Sequence, residues 1–363
     1  VNKTNRRINI MTKGVEKIKK LLADPTITEI MINGSKATFV EVEGRKQSAE
    51  VIFSSEEIKE VVDDIFKKGG KNVSPHTPYV DICLEDGSRV NVIIKPLARL
   101  GTAITIRKFS KAIKSLDDLV ARDTISKKMA DFLIACTKGG LSMIFSGGTG
   151  AGKTTTMEML SFHIPEEERI VLIEDTAELQ LHHGNMVSLE TRSPDQDGKN
   201  EVTLGDLIRN SLRMRPDRII VGEVRGPEAL DMIQAMSTGH KGTLAVIHGN
   251  SPQEVLSRLE TLILSSGIKL PIAEIKKLVA NTIDIVVQQE RLLDGSRRIT
   301  HISEVRGLER GEVVIQDLFT FKSHGKTPEG KITGKFSSVM RMYPKFFAEF
   351  QKLGLLNDKA FSD

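Results

Sequence analysis

Residues Gly147-Gly148-Thr149-Gly150-Ala151-Gly152-Lys153-Thr154 fill every fixed position of the spacing GxxxxGK[ST]. A triphosphate needs several backbone N–H groups turned toward one point, which only a glycine-rich loop allows without Cβ clashes. A helix starting near Lys153 would add the positive end of its dipole. Lys153 would reach the β- and γ-phosphates, the Thr154 hydroxyl would coordinate Mg2+, and Thr155 would complete the phosphate-binding run. A chance glycine-rich turn is the bland alternative. The apolar run before the loop and the helical segment TTTMEMLSFHI after it argue for the functional reading.

Four further groups could do chemistry beside such a loop. Glu174-Asp175-Thr176-Ala177-Glu178 follows an apolar run, where carboxylates can polarise an attacking water or hold a metal shell. Standing alone it would read as a solvated acidic loop. Arg218-Ile-Ile-Val-Gly-Glu223 is an apolar strand ending in a carboxylate able to bind Mg2+, directly or through water. His240 and His248 bracket one apolar run and are expected near the same sheet edge, as neutral hydrogen-bonding groups. No third ligand lies close enough for a metal site. Finally, Arg89, Arg107, Arg192, Arg209, Arg213, Arg215 and Arg225 are candidates for stabilising charge on a γ-phosphate, and sequence alone does not choose among them.

These groups need a scaffold. LSMIFSG (141–147), RIVLIED (169–175), DRIIVGEV (217–224) and GTLAVIH (242–248) are short apolar runs separated by helical segments. That pattern predicts buried parallel strands of an α/β sheet, with ligands beyond their carboxyl ends. IDIVVQQERLLDGSRRITHISEV (283–305) reads as a hairpin turning at Asp294-Gly295. Upstream, a smaller α+β unit is predicted, with a helix at Ser55–Lys68 capped by Ser54 or Ser55. The expected organisation is 1–109 as the N-terminal α+β domain, 110–124 as a linker containing a short helix, 125–322 as the α/β domain, and 323–363 as a C-terminal appendage with a closing helix.

Composition narrows the classes. The chain has 363 residues, 4% aromatic, no Trp and a net charge of +4 spread along its length, with no concentrated basic footprint for a nucleic acid. Two distant cysteines, Cys83 and Cys136, make neither a zinc site nor a disulfide framework and fit a reducing cytosol. No apolar run approaches a membrane span, and the basic N-terminal segment lacks the apolar core of a signal peptide.

Taken together, GGTGAGKTT, IEDTAELQL, SLETR, LRMRPDRIIVGEVRGPEALDMIQAMSTGHKGTLAVIHGNSP and SRLETLIL closely resemble the type II/IV secretion ATPase superfamily. Within it, the chain looks most like the CpaF-type ATPase of tight-adherence pili, a likeness extending to LLADPTITEIMING and YPKFFAEF. The resemblance implies a RecA-like P-loop ATPase domain behind a smaller N-terminal α+β domain, assembled as a homohexameric ring. Its place would be the cytoplasmic face of the inner membrane, peripherally associated and docked on a platform protein. ATP and Mg2+ would be its ligands, pilin extrusion its work, and no direct nucleic-acid contact is expected. By motif match Glu178 falls on the general base, Glu223 on the Walker B acid, and His240 and His248 on the two His-box histidines. Arg89 and Arg107 fall on N-terminal arginines that reach the phosphates, with Arg192 and Arg213 as weaker matches. Where the family often has HANSP, this chain has His248-Gly249-Asn250-Ser251-Pro252. The alternatives are a type IV secretion or conjugation ATPase, a RecA-like nucleic-acid translocase, and a nucleotide-binding module without turnover.

Overall fold

Ser54 shows how local the folding signals are. Its hydroxyl accepts from Glu57 N at 3.2 Å while the Glu57 carboxylate accepts from Ser54 N at 2.9 Å. This reciprocal cap starts a helix because it satisfies end groups that the helix itself cannot. The computed structural model describes residues 13–362 apart from 43, 70, 71, 85, 109–112 and 196. The basic segment 1–12 and the start of the expected linker therefore lie outside the described residues.

The chain forms two compact units, 1–111 and 112–363. In the first, α1 (Lys13–Ala23), β1 (Ile27–Asn33), β2 (Ala37–Val42) and β3 (Arg45–Ser48) precede α2 (Ser55–Gly69). Then come β4 (Tyr79–Cys83), β5 (Arg89–Ile93) and β6 (Ala103–Arg107). The six strands form one antiparallel sheet in the order β3-β2-β1-β6-β5-β4. Alternation puts Val90, Val92, Ile104 and Ile106 into the core with Ile58, Val61 and Ile65 of α2. Arg89 and Arg107 fall on the alternate positions and stand directly opposite each other across β5 and β6.

The second unit begins with α3 (Leu116–Ala121) and α4 (Lys127–Lys138). Alternating strands and helices follow: β7 (Met143–Gly147), α5 (Lys153–Ser161), β8 (Ile170–Glu174), β9 (Met186–Glu190), α6 (Leu204–Ser211), β10 (Arg218–Val224), α7 (Glu228–Ser237) and β11 (Leu244–Ile247). Next are α8 (Pro252–Ser265), α9 (Ile272–Thr282), β12 (Ile285–Arg291), β13 (Arg297–Glu309), β14 (Glu312–Lys326), β15 (Ile332–Ser338) and α10 (Phe347–Lys352). One sheet runs β15-β14-β13-β12-β7-β11-β10-β8-β9, parallel from β12 to β9 and antiparallel from β12 to β15. Two apolar cores cover its faces, which is why β7, β8 and β11 are buried at every position.

All four apolar runs are parallel neighbours in this sheet, and residues 283–305 contain the first hairpin of its antiparallel half. The expected boundary at 322 falls inside β14. Residues beyond it belong to the same unit, since β15 extends the sheet and Phe346, Phe347 and Phe350 pack into the core with Phe132. Likewise Leu116 and Leu119 of α3, within the expected linker, are buried in this core. Among the described residues no helix is long and apolar enough to cross a membrane.

Candidate nucleotide site

The loop after β7 owes its shape to glycines. Gly150 and Gly152 have φ of +73° and +98°, where other residues are strained. A Cβ on Gly147 would lie 2.0 Å from the carbonyl oxygen of Gln289 on β12, so no side chain fits there. Lys153, the first residue of α5, is 6% exposed and donates from Nζ to the carbonyls of Gly147 and Gly148, each at 2.9 Å. A bare cradle, a buried ammonium and a helix start at one point are the donor set that a phosphate chain needs.

β11 lies beside β7, and its end brings His248 to the same place. His248 Nδ1 is 3.5 Å from Lys153 Nζ, and its Nε2 is 2.7 Å from Glu223 Oε1. Burial, then the charge of Lys153, hold the imidazole below its ordinary pKa, outweighing the opposite pull of Glu223. A neutral ring with Nε2 against Glu223 and Nδ1 facing Lys153 fits both contacts. Glu223 also accepts from Arg225 Nη2 at 2.5 Å. Burial alone would raise its pKa, but the hydrogen bond and charge of Arg225, with His248 and Lys153, bring it below the usual carboxylate value. Thus Lys153, His248, Glu223 and Arg225 form one chain of contacts at the carboxyl ends of β7, β11 and β10.

Two carboxylates set the segment after β8. Glu174 is 3% exposed, and its Oε1 accepts from the backbone N–H groups of Glu178 and Leu179 at 3.0 Å each. Gly222 makes room for it, since a Cβ there would meet Glu174 Cγ at 2.9 Å. Glu158 of α5 accepts from Gln180 N at 3.3 Å, and burial raises its pKa. Glu174 and Glu158 therefore anchor the stretch that carries Glu178. Thr154 Oγ1 and the Glu223 carboxylate are hard oxygen donors of the kind Mg2+ prefers. Among the described residues no cluster of three His, Cys, Asp or Glu offers an independent metal site.

Other predicted residues lie elsewhere. His240 precedes β11, whereas the phosphate loop follows β7, and the two strands are parallel. The histidines that bracket β11 therefore sit at opposite edges of the sheet, because a strand carries the chain from one edge to the other. His240 Nδ1 faces the Ala235 carbonyl at 3.2 Å, at the end of α7. Arg213 precedes β10 at that same far edge. Arg192 follows β9, its Nε donating to Asn200 O at 2.6 Å. Arg209 is committed to Asp206 and Asp231. Arg107 lies 3.9 Å from Glu29, and the phosphate roles of Arg89 and Arg107 stay with the resemblance.

The His248–Pro252 stretch has structural reasons of its own. A Cβ on Gly249 would meet Ser146 Oγ and Val255 Cβ, each at 2.9 Å, so the packing here explains glycine where the family often has alanine. Ser251 caps α8 by accepting from Glu254 N at 3.1 Å, and Pro252 occupies its first turn. Sequence reasoning passed over Gln289, Arg291 and Arg297, which meet the phosphate loop from β12 and β13. Their only signal was position, in the predicted hairpin of residues 283–305.

Comparison with known proteins identifies the family and the fold. The family described as Type II/IV secretion system protein matches residues 11–318. A putative conjugal transfer protein of Mycobacterium tuberculosis is 31% identical over 299 residues, 80% of this chain and 84% of that protein. Protein VirB11 of Agrobacterium fabrum is 31% identical over 298 residues, 74% of this chain and 86% of its own length. In fold the chain is similar to the pilus retraction motor PilT, solved with bound ADP, at TM-score 0.56 and 16% identity, covering 94% of this chain and 86% of that one. The fold is the expected one, a RecA-like α/β unit behind a smaller unit built on an antiparallel sheet.

Proposed function

Because the chain belongs to the type II/IV secretion system protein family, whose members are ATPases, we propose that it is the motor of a type IV secretion or conjugation machine. The observation that carries the proposal is the contact chain Lys153–His248–Glu223, which joins the phosphate loop to the candidate metal acid through one neutral imidazole. The expectation of pilin extrusion is finer than the relatives support. The two named above, each aligned over more than four-fifths of its own length, carry conjugation and VirB11 names, which weighs toward the secretion alternative.

In this reading Gly147–Thr155 hold the phosphates, and Thr154 with Glu223 hold Mg2+, which when bound neutralises charge developing on the phosphates. Glu178, on its anchored segment, orients the attacking water. Lys153 and Arg225 supply positive charge, and His248 keeps Lys153 and Glu223 in register. A homohexameric ring on a membrane platform at the cytoplasmic face is the assembly proposed with it, by resemblance.

The test is steady-state phosphate release against protein concentration, with assembly followed by light scattering and Glu178→Gln and Glu223→Gln measured alongside. Specific activity that climbs as a ring forms, and drops about a hundredfold in either variant, supports the motor. Activity indifferent to assembly would leave an ATPase without a ring mechanism. Stimulation by DNA would move the reading to a nucleic-acid translocase.

A further inference from the structure

The hairpin of β12 and β13 places Arg291 and Arg297 directly opposite each other, and both meet the phosphate loop. Arg297 Nε donates to the Gly150 carbonyl at 2.9 Å. Arg291 Nη1 lies 3.4 Å from the point a Cβ on Gly150 would occupy. Around Gly152 the equivalent point is 3.2 Å from Arg297 Cδ and 2.9 Å from Gln289 Nε2. Gln289 is 1% exposed and is itself fixed, accepting from Thr156 Oγ1 of α5 at 2.8 Å. All three conformationally special glycines of the loop, Gly147, Gly150 and Gly152, thus rest against this one hairpin.

The bond to Gly150 has a directional consequence. The Gly150 carbonyl and the Ala151 N–H belong to one trans peptide and point opposite ways. With the carbonyl turned to the hairpin, the N–H turns into the loop. There it donates to the Gly148 carbonyl at 3.3 Å, the oxygen that also accepts Lys153 Nζ. Gly150, at φ +73°, is a residue for which peptide rotation is inexpensive. A charge-assisted bond from a half-buried guanidinium is what holds that orientation.

We propose that Arg297 is a positioning residue of the nucleotide site, holding the Gly150–Ala151 peptide with its N–H turned into the loop, where a bound phosphate would replace the Gly148 carbonyl as acceptor. Arg291 seconds it as a neighbouring positive charge. This rests on the reading of residues 147–154 as the phosphate site.

The full chain tests it through Arg297→Met, which keeps the aliphatic stem over Gly152, and Arg297→Lys, which restores a charged donor. KM for ATP, kcat, melting temperature and the Kd of a fluorescent ATP analogue are measured for both, with Lys153→Ala as reference. The Met variant is expected to raise KM and Kd about tenfold, with kcat changed less than threefold and Lys recovering most of the loss. Unchanged KM and Kd in the Met variant overturn the proposal. So does equal impairment of both variants in step with a lowered melting temperature, which marks Arg297 as merely structural. If the Met variant does not fold, Arg297→Leu takes its place and is judged by the same outcomes. Lys153→Ala that binds and turns over normally is a separate result, removing the phosphate site itself.

Discussion

The two edges of the parallel sheet are built from similar residues and do different work. At the carboxyl edge, His248 touches Lys153 and Glu223, and charged groups converge beside a glycine loop. At the amino edge, the His240 ring meets the helix-end carbonyl of Ala235 and the Thr238 hydroxyl, and Arg218 is closed in by its neighbours. Arg218 is 3% exposed, paired with Glu168, and packed so tightly on Gly242 that a Cβ there would lie 2.0 Å from its Nη1. Gly242, two residues after His240 in the same turn, is thus a packing residue. The difference teaches that a charged cluster becomes chemistry only where chain direction opens it to a ligand. Strand carboxyl ends diverge into loops and helix starts, while the opposite ends are tied off by returning helices.

Breaking the amino edge should cost stability alone. Glu168→Ala leaves the buried Arg218 guanidinium uncompensated and is expected to destabilise the protein by about 2–3 kcal/mol, the partner's partial exposure tempering the full penalty. Urea denaturation measures this, and KM and kcat should remain near wild type. A selective loss of turnover would erase the distinction between the edges.

The histidines give a sharper comparison. His248→Ala is expected to lower kcat/KM about tenfold, the scale of one lost charged hydrogen bond. His240→Ala should stay within twofold in an isolated protomer's nucleotide binding. Equal effects from both would mean that His240 reaches a site by a route the single chain does not contain.

The smallest effect is on pH. Because folding lowers the pKa of His248, the folded state favours the neutral ring. The stability it contributes is whole above about pH 6.5, the unfolded value, and is lost as pH falls through the lower folded value. His248→Asn should flatten the decline in melting temperature just below pH 6.5. An unaltered decline in the His248 variant would place the titration elsewhere.

Several elements were legible because their causes are local. The Ser54 cap, the glycine loop and the four apolar runs each depend on residues within a few positions. β3 and β9 were harder to read. β3 (RKQS) is exposed at every position and β9 carries polar residues, since both are edge strands with no need of a continuous apolar face. Glu178 was legible as an acid after a strand, but the anchoring by Glu174 and Glu158 was not. Those bonds join β8 and α5 to a loop up to 22 residues away.

By itself the amino-acid sequence determined that a glycine loop of phosphate-binding spacing exists, which strand leads into it, and which acids end neighbouring strands. Each of these is written in contiguous residues whose backbone preferences act over one turn or one strand. Only the tertiary structure decided that His248 belongs with Lys153 and Glu223 while His240 does not, and that Arg297, 147 residues from Gly150, holds the loop. Strand order and direction settle such matters. They are set by how the whole sheet buries its two apolar faces, and no local spacing encodes them.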